Sequence, residues 1–396
     1  MDIIVVGAGI GGLTAAASLL QRGHRVRVVE QSRALSAIGA GFQLSANAVK
    51  VLHAIGLEET LEAEGVKPLA NEYRRFDSGE LLFRMPHAEA HFSKYGAYYY
   101  QIHRADLHAA LARAVRKVDP MAVHLGVRVT GVEEDSSGVT LGFANREPMR
   151  AELVVGADGI KSAVGQHVFG LEDKPTFTGQ VAWRVTVPVE RIPRELRTDI
   201  VGTMWCGYGK YVLMYYLRGG KLINFVGSLA SSWNEESWTA RRPWQELDQD
   251  YAGWHPIVRA VIDAADRDQC FCWALNSRTP GSIWSTARVT MLGDAVHAML
   301  PNMAQGAAMA IEDAAVLART LDLELPLAES LKRYEQHRAP RTRRVVEASA
   351  VATTFFQFKS ETTDEMRQFF RDGNFGSRDW VYSYDALGVD LANLVT

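Results

Sequence analysis

The sequence predicts an α/β fold in which a Rossmann-like nucleotide-binding domain, assembled from separated segments, carries an inserted, mostly antiparallel β-sheet domain and C-terminal helices. Three observations predict it. The apolar run Asp2 to Val6 passes directly into Gly7-Ala-Gly9-Ile-Gly11-Gly12. A second short apolar run, Val289 to Leu292, ends in the turn Gly293-Asp294 and leads to a small-residue helix that starts at Gly306. Between them, residues 180–275 contain consecutive runs with strand character, separated by turn residues.

Composition narrows the class. A chain of 396 residues suggests two or three domains, and 47% apolar residues is ample for a large core. Basic and acidic residues nearly balance, 43 against 46, so no field for nucleic acid or a charged membrane surface is implied. The three cysteines, Cys206, Cys270 and Cys272, are too few for a disulfide framework, and Cys270-Phe-Cys272 lacks the second ligand pair a zinc site needs. No uncharged apolar run approaches the roughly 20 residues of a membrane span. A soluble, cytoplasmic protein, monomer or homodimer, is expected, without a membrane, nucleic-acid or metal partner.

Taken in order, residues 1–72 form the first nucleotide-binding segment. Leu13 to Arg22 reads as a helix and Arg25 to Val29 as the next strand, with Glu30 at its end. Gly7 makes the tight turn, Gly9 admits a pyrophosphate to the backbone, Gly12 allows close helix–strand packing, and Glu30 can accept bonds from a ribose hydroxyl. Gly11 and Gln31 are counted in the same site. This unit suits FAD or NAD, and by itself does not choose between them. Ser36 to Asn47 is a glycine-rich turn containing Gly41 and Gln43, followed by the helix Ala48 to Ile55.

Residues 73–100 alternate around Leu81 and read as an excursion into the second domain. Residues 101–178 return. His103-Arg104-Ala-Asp106 opens a helix through Val115, Val127 to Phe143 forms a hairpin about Asp135-Ser-Ser-Gly138, and a buried strand ends in Gly156-Ala-Asp158-Gly159. In residues 179–275, Val181 to Pro188, Lys210 to Leu217 and Lys221 to Val226 are strands, with Arg218-Gly219-Gly220 turning between the last two. Tyr211 and Tyr215 lie four apart, on one face of their strand. A tryptophan-rich helical region, Trp233 to Asp266, carries the chain back, and Trp233, Trp238, Trp244 and Trp254 are expected in the core. Residues 276–325 hold the Gly293-Asp294 turn, His297, Pro301 and the helix Gly306 to Leu321. Residues 326–396 are helical, with Pro340 starting or kinking a helix, and end in Trp380-Val-Tyr382-Ser-Tyr384-Asp385.

Gly293-Asp294-Ala-Val-His297-Ala-Met-Leu-Pro301, followed by Gly306-Ala307 and Ile311-Glu-Asp-Ala, resembles the second flavin motif of single-component flavoprotein aromatic hydroxylases, a family acting on salicylate, 3-hydroxybenzoate or 6-hydroxynicotinate among others. The glycine-rich start and Gly156-Ala-Asp158-Gly159 complete a trio in the family's order. The resemblance covers nearly the whole chain and implies a p-hydroxybenzoate-hydroxylase-like fold with tightly bound FAD. By motif, Asp294 would hold the ribityl chain, and Pro301 would lie beside the reactive flavin carbon. The Gly306 and Ala307 amides would face the pyrimidine edge, Arg104 the phosphate and ribose, and Asp158 both FAD and the nicotinamide donor. The segment with Gly41 would run beside the flavin ring. Gln43 stands where 6-hydroxynicotinate enzymes carry a histidine, which weakens any transfer of that substrate.

The implied reaction is hydroxylation, with or without loss of a carboxyl group, of a small hydroxylated aromatic or N-heteroaromatic acid. NADH or NADPH is the transient reductant and O2 the co-substrate, acting through a flavin C4a-hydroperoxide. Tyr211 and Tyr215 fall where relatives bind the substrate hydroxyl. Arg184 suits a substrate carboxylate or a flavin contact, and His297 is a candidate base. An epoxidase, a hydroxylase of larger polycyclic substrates, and a non-oxygenase flavin reductase or redox sensor remain alternatives.

Overall fold

In the computed structural model, residues 1–35, 41–171, 175–235, 240–279, 281–356, 362–371 and 377–393 are described. Residues 36–40 of the glycine-rich turn and Trp238 lie outside them. The nucleotide-binding part is built on a five-stranded sheet in the order Val289–Met291, Leu153–Gly156, Asp2–Val6, Arg25–Glu30, Val123–Leu125. Every neighbouring pair in it is parallel. Ile3, Ile4 and Val5 are fully buried, because helix Ile10–Leu20 packs against this sheet and strands Met149–Ala151 and Gly138–Phe143 also contact it, so its strands need apolar residues on each side. Helix Ile10–Leu20 packs against Gly306–Thr320 and Arg104–Val118. At the glycine-rich turn, a Cβ at Gly12 would lie 2.0 Å from the Gly7 carbonyl oxygen, so only glycine lets the helix start this close to the strand.

The second sheet has seven strands, in the order Phe271–Ser277, Thr176–Pro188, Leu222–Ala230, Lys210–Leu217, Gly202–Cys206, Ala70–Arg75, Leu81–Pro86. Pairing is antiparallel except between Gly202–Cys206 and Ala70–Arg75, which run parallel. Strand Gly202–Cys206 was not anticipated. It is buried at every position, so it shows no apolar–polar alternation. Phe271–Ser277, Val123–Leu125 and Met149–Ala151 are likewise additional strands. The hairpin lies as expected, Val129–Asp135 with Gly138–Phe143, and Asp135 binds the amides of Ser137 and Gly138 in the turn.

The tryptophan-rich region is two short helices, Trp244–Asp250 and Pro256–Asp263, rather than one run. Trp233, Trp244 and Trp254 join the core behind the large sheet, with Trp183 and Tyr251. At the C-terminal side, Leu327–Phe356 is a single helix of 30 residues that continues through Pro340. Among the described residues, no helix is long and apolar enough to cross a membrane.

Candidate active site

Between the two sheets lies a cavity of about 370 Å³. Its nucleotide side is lined by Gly9, Gly11, Arg104, Asp294, Pro301, Gly306 and Ala307. Each comes from a turn at the end of a buried strand or from the start of a helix, where the backbone is exposed by construction. A Cβ at Gly9 would meet nothing within 4 Å, so the glycine-rich turn presents open backbone to the cavity. Helix Gly306–Thr320 begins without a side-chain cap, leaving its first amides and the positive end of its dipole for a ligand. The Asp294 side chain is open to the cavity yet lies far below the protein surface, and burial raises its pKa while His297 and Arg104 pull it back. Arg104 reaches over the Phe42 ring at 5.6 Å, and burial lowers its pKa against the pull of Asp294.

The opposite wall is the large sheet. Arg184, Val226, Leu213, Met204 and Tyr73 are paired in turn across five strands and so share one face. Tyr211 and Tyr215 flank Leu213 on that face and line the cavity with it. The Tyr211 hydroxyl donates to Asn302 Oδ1 at 3.1 Å. Tyr215 has no hydrogen-bonded protein partner among the described residues. Burial raises the pKa of both, and Arg184 opposes the rise. The Arg184 guanidinium sits 4.2 Å over Trp273 and has no carboxylate partner among the described residues. Gly41 backs this wall: a Cβ there would lie 2.5 Å from the Tyr215 ring and 2.7 Å from its hydroxyl. Gln43 lines the cavity and accepts from the Tyr99 hydroxyl at 2.6 Å.

Several expected residues support the cavity without lining it. Gly7 and Gly12 shape the turn behind Gly9. Glu30 accepts from the Ala8 amide at 2.9 Å and the Ser32 amide at 2.8 Å, and Gln31 is exposed next to it. Asp158 accepts from Ser162 Oγ at 2.5 Å and the Val164 amide at 3.1 Å, ordering the helix that follows. His297 is corrected more sharply: it is fully buried, and its Nε2 lies 2.6 Å from Asp313 Oδ2. Asp313 also accepts from Arg338 Nε at 2.7 Å and from the Gly293 amide at 3.0 Å. His297 therefore ties the flavin-motif turn to helix Gly306–Thr320 and does not line the cavity.

The same buried cluster continues through Glu312, which accepts from Arg338, Arg341 and Asn47, and through Gln305, which bonds Asn47 and Ser45. Sequence reasoning missed Asn71, Tyr73, Tyr99, Asn302, Arg378 and Tyr382, all of which line the cavity. Tyr382 belongs to the aromatic tail motif, which was the signal available; Asn71 and Tyr73 carried none beyond strand alternation.

Comparison with known proteins places this geometry. A family model described as FAD binding domain matches residues 1–349. The chain is 38% identical to a 3-amino-4-hydroxybenzoate 2-monooxygenase of Streptomyces platensis, over 98% of this chain and 97% of that protein. The chain belongs to the FAD-dependent aromatic hydroxylase family. A 6-hydroxynicotinate 3-monooxygenase of Bordetella bronchiseptica is 37% identical over 88% of this chain and 90% of its own. Among solved structures, Klebsiella pneumoniae HpxO complexed with FAD and uric acid superposes with a TM-score of 0.83 at 28% identity, covering 96% of this chain and 95% of that one. The hydroxylase fits FAD on its own geometry as well: open backbone at Gly9, an uncapped helix start at Gly306, and a deep carboxylate, Asp294, directed at the cavity.

Proposed function

We propose that this hydroxylase uses NADH or NADPH and O2 to hydroxylate a small aromatic or N-heteroaromatic acid that carries a ring hydroxyl or amino group. The observation that carries the reading is the wall formed by Arg184, Tyr211 and Tyr215, one guanidinium and two hydroxyls on a single sheet face. The substrates named for the two curated relatives, 3-amino-4-hydroxybenzoate and 6-hydroxynicotinate, share a carboxylate and a ring hydroxyl, which supports this class. When bound, FAD would carry electrons from NADH or NADPH to O2 and so supply the activated oxygen.

The chain's own residues prepare the ring. Burial keeps Tyr215 protonated, so its hydroxyl donates to the substrate oxygen. A bond donated to the phenolate form, together with the Arg184 charge, favours that form and makes the ring carbons beside it nucleophilic. No histidine lines the cavity among the described residues, so the charge of Arg184 and the hydroxyl wall are what favour the phenolate on this reading. Met85, Met204, Leu213 and Met303 keep the space beside the hydroxyls apolar and exclude water.

The test is oxidation of NADH and of NADPH in air by the purified holoenzyme, with peroxide and product mass read together. The panel holds aminohydroxybenzoates, hydroxybenzoates and hydroxynicotinates. One compound that both speeds oxidation and gains an oxygen atom establishes the reading. Oxidation that yields only peroxide with every compound points to a larger substrate. No flavin reduction by either donor moves the reductase or sensor reading ahead.

A further inference from the structure

We infer that Arg341 is a positioning residue: it ties the C-terminal segment that lines the cavity to the helix that opens onto the cofactor side. A bound substrate then meets two surfaces that share one buried joint. The compounds used as probes below rest on the reading above; the joint itself does not.

The tail reaches the cavity through Tyr382, which lines it together with Tyr99. The Tyr382 ring stands 6.2 Å from the Tyr99 ring and edge-on to His91 at 5.3 Å. Helix Asp379–Tyr382 is a single turn, too short to be stable alone, so outside contacts set its position. One such contact is at the surface. Tyr95 and Lys94 both bond Asp379 Oδ1, but the Asp379 side chain is 49% exposed, so this hold is worth little.

The other hold is nearly buried. Arg341 donates to the carbonyls of Trp380 at 3.1 Å and Val381 at 3.0 Å, and it lies 3.9 Å over the Tyr384 ring. Arg344 adds a second stack, 3.9 Å over Trp380. Through Nε and Nη2, Arg341 also binds both carboxylate oxygens of Glu312, at 2.7 and 2.8 Å. A planar guanidinium can span a carboxylate and two carbonyls in this way, and the compact ammonium of a lysine cannot.

Glu312 belongs to the helix that starts at Gly306 and is fully buried. It also accepts from Arg338 at 2.7 Å and from Asn47 at 2.6 Å. Asn47 bonds Gln305, next to Gly306, and Gln305 bonds Ser45, which follows strand Gly41–Leu44. One joint therefore fixes the helix start, the segment that carries Gln43, and Tyr382. Loss of Arg341 would divide it unevenly. Glu312 keeps Arg338 and Asn47, so the cofactor side stays supported, while the tail loses its tie to the buried carboxylate. The displacement falls on the substrate.

The experiment compares the wild type with Arg341→Gln in three readings. The oxidised holoenzyme is titrated with 3-amino-4-hydroxybenzoate and with 6-hydroxynicotinate, read from the flavin absorbance change. The FAD dissociation constant is measured, and tryptic cleavage of the holoenzyme after Arg378 is followed by mass. Arg341→Gln should weaken the acid about tenfold, the worth of one charge-assisted contact, and leave FAD affinity within about threefold. Cleavage after Arg378 should be at least about tenfold faster, because the tail opens locally. Arg341→Lys should recover part of the acid binding. In a Tyr382→Ala background, Arg341→Gln should add less than about twofold, since its effect passes through the tail. Unchanged acid binding, equal losses of acid and FAD, or additive effects of the two substitutions overturn the assignment. If Arg341→Gln does not fold, Trp380→Ala replaces it, removing the surface under Arg344 without touching Glu312. Normal acid binding and normal cleavage in that variant overturn the assignment as well. If neither acid binds the wild type, the proposed substrate class fails, and cleavage alone judges the joint: equal rates overturn it.

Discussion

Asp294 and Asp313 lie close in the chain, at either end of one flavin-binding stretch, and they are treated in opposite ways. Burial alone would raise Asp313, but His297 and Arg338 override it and hold its carboxyl at about 2. For Asp294 the same kind of pull, from His297 and Arg104, is too weak to offset burial, so its pKa is raised, and its side chain lines the cavity. The contrast separates a buried acid from one that opens onto a cavity. One is consumed by the protein to fix a turn and a helix, and the other is left for a ligand to satisfy.

Breaking the satisfied cluster should give the largest effect. Arg338 is fully buried between Glu312 and Asp313, so Arg338→Met leaves two buried carboxylates without their shared cation. A loss of about 3–5 kcal/mol is expected, read by chemical denaturation of the apoprotein; a loss below about 1 kcal/mol would show that the cluster is not structural. The pH dependence has a definite sign. Because Asp313 is depressed when folded, its contribution is full above the unfolded value near 3.9 and is lost as pH falls toward about 2.

Removing the cavity-facing charge should act on the ligand instead. The Asp294 side chain is accessible to solvent in the empty cavity, so the Asp294→Asn apoprotein should keep its stability at pH 7 within about 0.5 kcal/mol of the wild type. Its FAD dissociation constant should rise about 10- to 100-fold, the loss of a charge-assisted hydrogen bond. A variant that melts lower and still binds FAD normally would place Asp294 with the structural acids.

The smallest change sharpens the comparison on the opposite wall. Tyr215→Phe removes a hydroxyl that faces the cavity, so stability should stay within about 0.5 kcal/mol while KM rises roughly five- to tenfold. A clear loss of stability with unchanged kinetics would return Tyr215 to the core.

The nucleotide side was legible because its constraints are local. Gly7, Gly9, Gly12, Asp294 and Gly306 each answer a backbone requirement at one turn, and the spacing of such turns survives in the sequence. Tyr211 and Tyr215 were readable for a similar reason, the period of a single strand. His297 was a candidate base, and the structure buries it away from the cavity, since a motif shows adjacency along the chain and not which way a ring turns. Its turn is set by Asp313, on a helix that begins nine residues later. Asn71, Tyr73 and Arg378 were invisible for a different reason: parallel pairing of Ala70–Arg75 with Gly202–Cys206 and the docking of the tail bring together residues more than a hundred positions apart.

The glycine at position 41 limits how this enzyme can acquire a new specificity. The Tyr215 ring, with the end of Leu217 2.9 Å from where a Cβ would stand, occupies the space that any side chain at 41 would need. Changes at the two positions are therefore ordered in time: residue 215 has to shrink before residue 41 can grow. A mutational library that samples 41 first should yield mostly dead clones, and one that begins from a smaller residue at 215 should open a route to bulkier rings.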